Sequence, residues 1–244
     1  MTNSKVKLIG LSGASSSGKT TVSKILTAIL PNSKLIHQDD FYLPDDQIPF
    51  DKELNDQNWD CPAAFDMEKF KATLKKLKSS QELQYSTKEK QSSDDIVKSK
   101  LSQDDIRDIN ELVKLNGKKL NEYKIILIDG FLMYHDQELL DILDLKLFFK
   151  TSYETLRQRR SKREYVIDNG VWVDPPLYFE QFVWPNYFKY NKGIFKAGEE
   201  RVKETGGELN EFAKSNDIVA FQNDDSSNLK LLIDEILKYI LDKL

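Results

Sequence analysis

Residues 13–20 read Gly-Ala-Ser-Ser-Ser-Gly-Lys-Thr and satisfy G-x-x-x-x-G-K-[ST] without a mismatch. The apolar run "VKLIGLS" precedes them and "VSKILTAIL" follows, so the pattern lies between a strand and an amphipathic helix, as it requires. No other feature narrows the fold as much. Glycines let the backbone wrap inward so that N–H groups point at phosphate oxygens, and the helix amino terminus adds a favourable dipole. Gly13, Ala14, Ser15, Ser16, Ser17, Gly18, Lys19, Thr20 and Thr21 are therefore the candidate nucleotide cradle. Lys19 is placed to reach the β- and γ-phosphates, and the Thr20 hydroxyl to ligate Mg²⁺.

Around this loop the sequence alternates strand and helix signals. Val6–Leu11, Lys34–Gln38, Tyr123–Gly130, Leu145–Lys150 and Asp217–Gln222 read as strands. The "IILI" run in the third is apolar at four successive positions, as a strand covered on both faces should be. Helices are expected after the loop, after Asp66 as a cap, after Thr151 with Glu154 as a capping box, and at the carboxyl end. Alternation of this kind argues for an α/β domain with a parallel sheet between helical layers. Residues 79–122 are polar and rich in Ser, Lys and Asp, with one amphipathic helix predicted behind a Ser102/Asp105 capping box. They hold too few apolar residues to fold alone and read as an insertion or surface excursion.

At 244 residues the chain suits one domain, 1–244, rather than two. Thirty-six basic against forty acidic residues leave a net charge of −4, which argues against nucleic acid as a partner. One cysteine, Cys61, allows no internal disulfide, and no apolar run approaches a membrane span, so a cytoplasmic protein is expected. The amino terminus shows no signal-peptide pattern. His37, His135 and Cys61 lack metal-site spacing, and His37 reads as a packed core residue. The oligomeric state is not legible, with a monomer favoured.

A phosphate loop alone does not say where the phosphate goes. Asp39 and Asp40 end the second strand beside the loop, where ligands sit in open α/β sheets. A carboxylate there can take the proton of an attacking hydroxyl and help hold Mg²⁺. The bland alternative is a solvated strand end. Asp129 ends the third strand, where a second carboxylate can hold Mg²⁺ through water; its alternative is a buried carboxylate satisfied by backbone N–H groups.

"QDDFY", then "NWDCPAAFD" (Asn58–Asp66), then "IDGFL" (Ile128–Leu132), resemble the uridine kinase-like P-loop kinases. The aromatic before Asp60, the run "RRSKREY" and "FVWPNY" are similar to the nicotinamide riboside kinase branch of that group. The resemblance covers most of the chain, with 79–122 and parts of 191–216 outside it. It implies a three-layer P-loop kinase fold, a five-stranded parallel sheet ordered second, third, first, fourth and fifth strand, and a basic lid helix over about 153–170. It implies transfer from ATP, with Mg²⁺, to the 5′-hydroxyl of nicotinamide riboside and of nicotinic acid riboside, a step of NAD salvage. Carried across residue by residue, Asp39 is the base, Asp60 binds both ribose hydroxyls, and Asp40 and Tyr42 line the substrate site. Trp59 stacks on the substrate base, its alternative being a core aromatic. Asp129 stands where the family often has Glu, which leaves its metal role open.

Arg157, Arg159, Arg160, Lys162 and Arg163 crowd into seven positions. Arginine's planar fork spreads positive charge over phosphate oxygens, which suits a lid. By the resemblance, Arg159 and Arg163 contact ATP, Arg160 reaches the acceptor, and Tyr165 stacks opposite Trp59. A solvated basic face and a nuclear-localisation patch are the other readings. "VDPPLYF" reads as a rigid structural turn, and Asn223 and Asp224 lie where the fold seats adenine. Two competing functions stay open: a uridine-cytidine kinase, whose lid usually carries a D-x-x-x-R-G-like run missing from "SKREYVIDNG", and a regulatory nucleotide-binding switch with no small-molecule acceptor.

Overall fold

The computed structural model describes residues 5–79, 93–167 and 170–244, with the backbone alone at 93, 94, 165–167 and 170–172. The expectation placed on the amino-terminal four residues, the 80–92 part of the insertion and residues 168–169 of the lid lie outside the described residues. The strands, in chain order, are β1 (Lys5–Gly13), β2 (Ser33–His37), β3 (Phe50–Asp51), β4 (Asp56–Gln57), β5 (Tyr123–Asp129), β6 (Leu145–Lys150), β7 (Tyr165–Ile167), β8 (Gly170–Trp172) and β9 (Ile218–Gln222). Five of them form one sheet in the order β2-β5-β1-β6-β9, all parallel. That is the order expected from the resemblance, and the five predicted strands lie within two residues of the observed ones. The other four make two short antiparallel hairpins, β3–β4 and β7–β8.

Alternation along the central strands feeds two cores. Leu8 and, in β5, Ile126 and Ile128 point to one face, whereas Ile9, Leu11, Ile125 and Leu127 point to the other. The second face is covered by α1 (Lys19–Ile29), α3 (Ser93–Lys100), α4 (Gln103–Leu115), α5 (Gly117–Leu120) and α11 (Leu229–Lys243). The first is covered by α2 (Met67–Ser79), α6 (Gln137–Ile142), α7 (Tyr153–Ser161), α8 (Trp184–Asn191), α9 (Glu199–Thr205) and α10 (Glu211–Ser215). The result is the three-layer arrangement that a sheet buried on both sides requires.

One local expectation needs revision. Thr151 and Glu154 form no capping box: Ser152 is the N-cap of α7, and the Thr151 hydroxyl donates instead to the Asn223 carbonyl at 3.2 Å. A tertiary acceptor has outcompeted the local one. The 79–122 stretch, expected as an insertion or surface excursion, docks on the core over its described part. Val97 of α3, Leu101 just after it and Ile109 of α4 are buried, and all three join the cluster that includes Val22 and Ile25 of α1. Each helix is apolar on one side only, which is enough to dock on α1 although not to fold alone. The Ser102/Asp105 capping box is present at the start of α4, and Asp66 caps α2 by accepting from the Lys69 N–H at 2.9 Å.

Candidate active site

The loop between β1 and α1 holds its shape through two glycines. Gly13 has φ +146°, and a Cβ there would meet the Phe149 carbonyl oxygen at 2.6 Å. Gly18 has φ +88°, and a Cβ there would meet Asn223 Nδ2 at 2.3 Å. Asn223 uses that amide to donate to the Ser17 carbonyl at 2.7 Å, latching the loop to the end of β9. Ser16 adopts φ +67°, an uncommon conformation for a residue with a side chain. Among the described residues, six buried side-chain polar atoms lack a hydrogen-bond partner, and five lie at this end of the sheet: the hydroxyls of Ser12, Ser16 and Ser17, Asp129 Oδ1 and His37 Nε2. Unpartnered buried groups are rare in folded proteins, and such a cluster marks a place built for a polar ligand.

Facing the loop, β5 delivers Asp129 and β2 leads into Asp39. The Thr20 hydroxyl donates to Asp129 Oδ2 at 2.6 Å, and His37 Nδ1 lies 3.1 Å from the same oxygen. Asp129 is thus satisfied by side chains rather than by backbone N–H groups, and Oδ1 is left over. Burial alone would raise its pKa, but the bond to His37, the charge of Lys19 and the bond to Thr20 hold it below the usual carboxylate value. Lys19 Nζ donates to the Ala14 carbonyl at 3.2 Å. Burial pushes its pKa down, Asp129 and Asp39 oppose that, and Arg163 and Arg160 add to it. Thr20 and Asp129 are hard oxygen donors of the kind that hold Mg²⁺ together with water. His37 is half-buried as expected of a packed residue, but its ring is spent on a site carboxylate.

Asp39 opens into the cleft, yet the walls around it strip enough water to raise its pKa, and the charge of Asp129 adds to this while Lys19 and His37 oppose. Asp60, 5 % exposed, makes no side-chain hydrogen bond among the described residues. Burial first, with Asp174 and Asp39 adding, pushes its pKa up to about 6 against the pull of Arg160 and Lys19. Arg160 grips Asp174 through Nε (2.6 Å) and Nη2 (3.1 Å) and reaches the Ser15 hydroxyl through Nη1 at 2.7 Å. Its guanidinium also lies over the Tyr178 ring, 5.9 Å from the centroid. Asp174, expected only in a structural turn, is therefore the residue that aims Arg160 at the phosphate loop. Trp59 is half-buried and packs against two core clusters, with the Tyr42 ring edge-on at 5.5 Å. Tyr42 itself stacks on Phe65 at 4.0 Å. Asp40 is partly buried in the same short helix as Asp39, and the Tyr165 side chain lies outside the described residues.

On the other side of the loop lies a cavity of about 730 Å³, lined by Gly18–Thr21, Arg159, Arg163 and the segment after β9. Arg159 and Arg160 are successive on α7, so they point about 100° apart and serve different sides. Arg159 donates to the Asn223 carbonyl at 2.9 Å and pairs with Asp225. Arg157 faces away and pairs with Glu180.

Several residues of the site went unread in the sequence. Gln38 accepts from the Phe131 and Leu132 N–H groups and donates to the Leu132 carbonyl, fixing the turn after β5. Tyr178 donates to the Gln57 carbonyl, and Asn186 bridges Asn58 to its own helix. Gln38 belongs to the quoted "QDDFY" and was within reach; Asp174, Tyr178 and Asn186 gain their meaning only from distant partners.

The chain matches the Phosphoribulokinase / Uridine kinase family over residues 8–197. It is 34% identical to a nicotinamide riboside kinase of Saccharomyces cerevisiae, over 99% of this chain and 100% of that one. It is 33% identical to a nicotinamide riboside kinase of Schizosaccharomyces pombe, over 80% and 83%. Against human nicotinamide riboside kinase 1 the identity is 31%, over 77% and 78%.

Proposed function

Because the chain belongs to the phosphoribulokinase/uridine kinase family, we propose that it phosphorylates the 5′-hydroxyl of nicotinamide riboside with ATP, giving the mononucleotide in NAD salvage. The name carried by its yeast and mammalian relatives supports this acceptor. The buried carboxylate of Asp60 carries the reading. It has no hydrogen-bond partner among the described residues and lies within charge range of Asp39 and Lys19. It therefore asks for a ligand that presents two hydroxyls beside the loop, as a ribose does.

Each residue then has a task. Asp60 accepts from the 2′- and 3′-hydroxyls, and Trp59, with Tyr42 behind it, offers an aromatic face to the pyridinium, a contact worth about 0.5–2 kcal/mol. Asp39 takes the proton of the 5′-hydroxyl as its oxygen bonds to the γ-phosphorus and the bond to the bridging oxygen of ADP breaks. Lys19 and the N–H groups of Gly13–Thr21 hold the β- and γ-phosphates. Arg160, steadied by Asp174, meets the transferring group, while Arg159 and Arg163 hold ATP from the lid side and Tyr165 closes over the base opposite Trp59. Thr20, Asp129 and Asp39 would hold Mg²⁺, which when bound offsets the charge of the phosphates. Among the described residues no helix is long and apolar enough to cross a membrane. The reading takes the protein as a cytoplasmic, monomeric, single-domain enzyme, and nicotinic acid riboside as a second acceptor.

The test is multiple-turnover assay of the purified protein with Mg·ATP against a nucleoside panel. Nicotinamide riboside should exceed uridine and cytidine in kcat/KM by about tenfold or more, if the cation–π contact supplies ~1.4 kcal/mol. Equal values would leave a broad nucleoside kinase, and no turnover with any nucleoside would leave a nucleotide-binding switch. Asp39→Asn should lower kcat by about 10²-fold or more; near-normal turnover would remove Asp39 from the mechanism.

A further inference from the structure

The cavity beside the phosphate loop has a wall that the family resemblance does not include. Ile96, Ser99 and Lys100 of α3, in the inserted segment, line it together with Thr21 and Lys24 of α1. Positions 96, 99 and 100 share one helical face, whereas Val97 and Leu101 on the adjoining face are buried against α1. One face of α3 thus anchors the helix and the other is presented to the cavity. Leu229 and Arg159 line the same cavity. Ile96 and Leu229 are both half-buried. Ser99 and Lys100 are exposed, and Lys100 forms no ion pair among the described residues. With phosphates seated on Gly18–Thr20, the rest of a nucleotide has to run into the cavity that these residues share.

We infer that α3 is part of the nucleotide site, with Ile96 and Leu229 bracketing the base of ATP and Lys100 donating to a ribose or phosphate oxygen. This rests on the kinase reading above, and it assigns to the insertion a share of ATP binding that its polar composition hides. α3 becomes a specificity element for the phosphate donor and leaves the acceptor side alone.

Calorimetric titration with a non-hydrolysable ATP analogue, alongside steady-state kinetics, tests it. Lys100→Glu should weaken nucleotide binding by about five- to tenfold, the scale of reversing one partly exposed charge contact, and Lys100→Arg should restore it. Ile96→Ala should weaken it by about threefold, while the KM for nicotinamide riboside stays within about twofold in all three. Hydrogen exchange should show residues 95–101 protected by the ATP analogue and not by the riboside. Lys19→Ala serves as the reference. If it loses the nucleotide while Lys100→Glu and Ile96→Ala bind normally and α3 gains no protection, α3 only covers α1 and the inference falls, with the kinase reading intact. If Lys19→Ala itself binds normally, the cavity is not the nucleotide site, and both readings fall.

Discussion

Asp60 is worth its place only if something other than stability selected it. Well below pH 3.8 the carboxyl is protonated in folded and unfolded chains alike, so its burial costs little. Between pH 3.8 and about 6 the unfolded chain releases the proton and the folded one keeps it, so stability drains as pH rises, and above about 6 the full cost is present. Moving a carboxyl over that interval costs roughly 3 kcal/mol. Asp60→Asn, similar in volume and uncharged, should therefore melt at a higher temperature than the parent at pH 7.5, with the gap closing towards pH 4, while riboside turnover collapses. A melting point equal to the parent's at every pH would show that Asp60 carries no such cost. In the parent, the KM for the riboside should rise below about pH 6 as Asp60 takes up its proton. Asp174→Ala would free Arg160 from this bidentate carboxylate and should lower kcat by about tenfold or more while ATP binding holds, which single-turnover and binding measurements separate. Asp39 and Asp60 were legible because each sits in a short local pattern. Asp174 was not, since its role depends on a hairpin that folds it back fourteen positions onto Arg160.

At the scale of elements, what the sequence showed well was whatever is buried on both sides. The central strands announce themselves because their middle positions are apolar towards both faces, and their ends differ by no more than two residues from expectation. Helix starts are less legible: Ser102 keeps its local capping box, but Thr151 spends its hydroxyl on Asn223 across the sheet, a bond no local pattern encodes. The docking of 79–122 is hard to read for a related reason: too few apolar residues to fold alone are still enough for α3 and α4 to lay one face each against the α1 side of the core. Ser102→Ala should cost about 1 kcal/mol, seen as a fall of about 2–4 °C in the melting temperature for a chain of this size. Since the capping box follows directly on α3, the same variant should weaken ATP binding slightly and leave the riboside KM unchanged; a larger effect on the riboside would mean that the helix pair touches the acceptor side.

The whole molecule is acidic, with a net charge of −4, yet its nucleotide cavity gathers Lys19, Lys24, Arg159, Lys162 and Arg163 against Asp224 and Asp225. Focused positive potential should make kcat/KM for ATP fall with added salt more steeply than that for the cationic riboside, a difference that vanishes if the phosphates bind elsewhere. Saturating Mg·ATP, at about a hundred times its dissociation constant, should stabilise the fold by about 2.7 kcal/mol, read as a rise of about 5–11 °C in melting temperature; no rise would contradict nucleotide binding to the folded chain. The sheet order also governs when the protein can first work as it is being made. β1 is finished by residue 13, but its neighbours are β5 and β6, whose pairing residues begin at Tyr123 and Leu145. The amide that latches the loop belongs to Asn223, near the other end of the chain. A motif made about two hundred residues before its latch is therefore late to become competent, and a nascent chain carries an intact phosphate-loop sequence over that stretch of synthesis without a phosphate loop. At about 5–20 residues per second, that interval lasts on the order of ten seconds or more, during which ATP finds nothing on the growing chain to occupy.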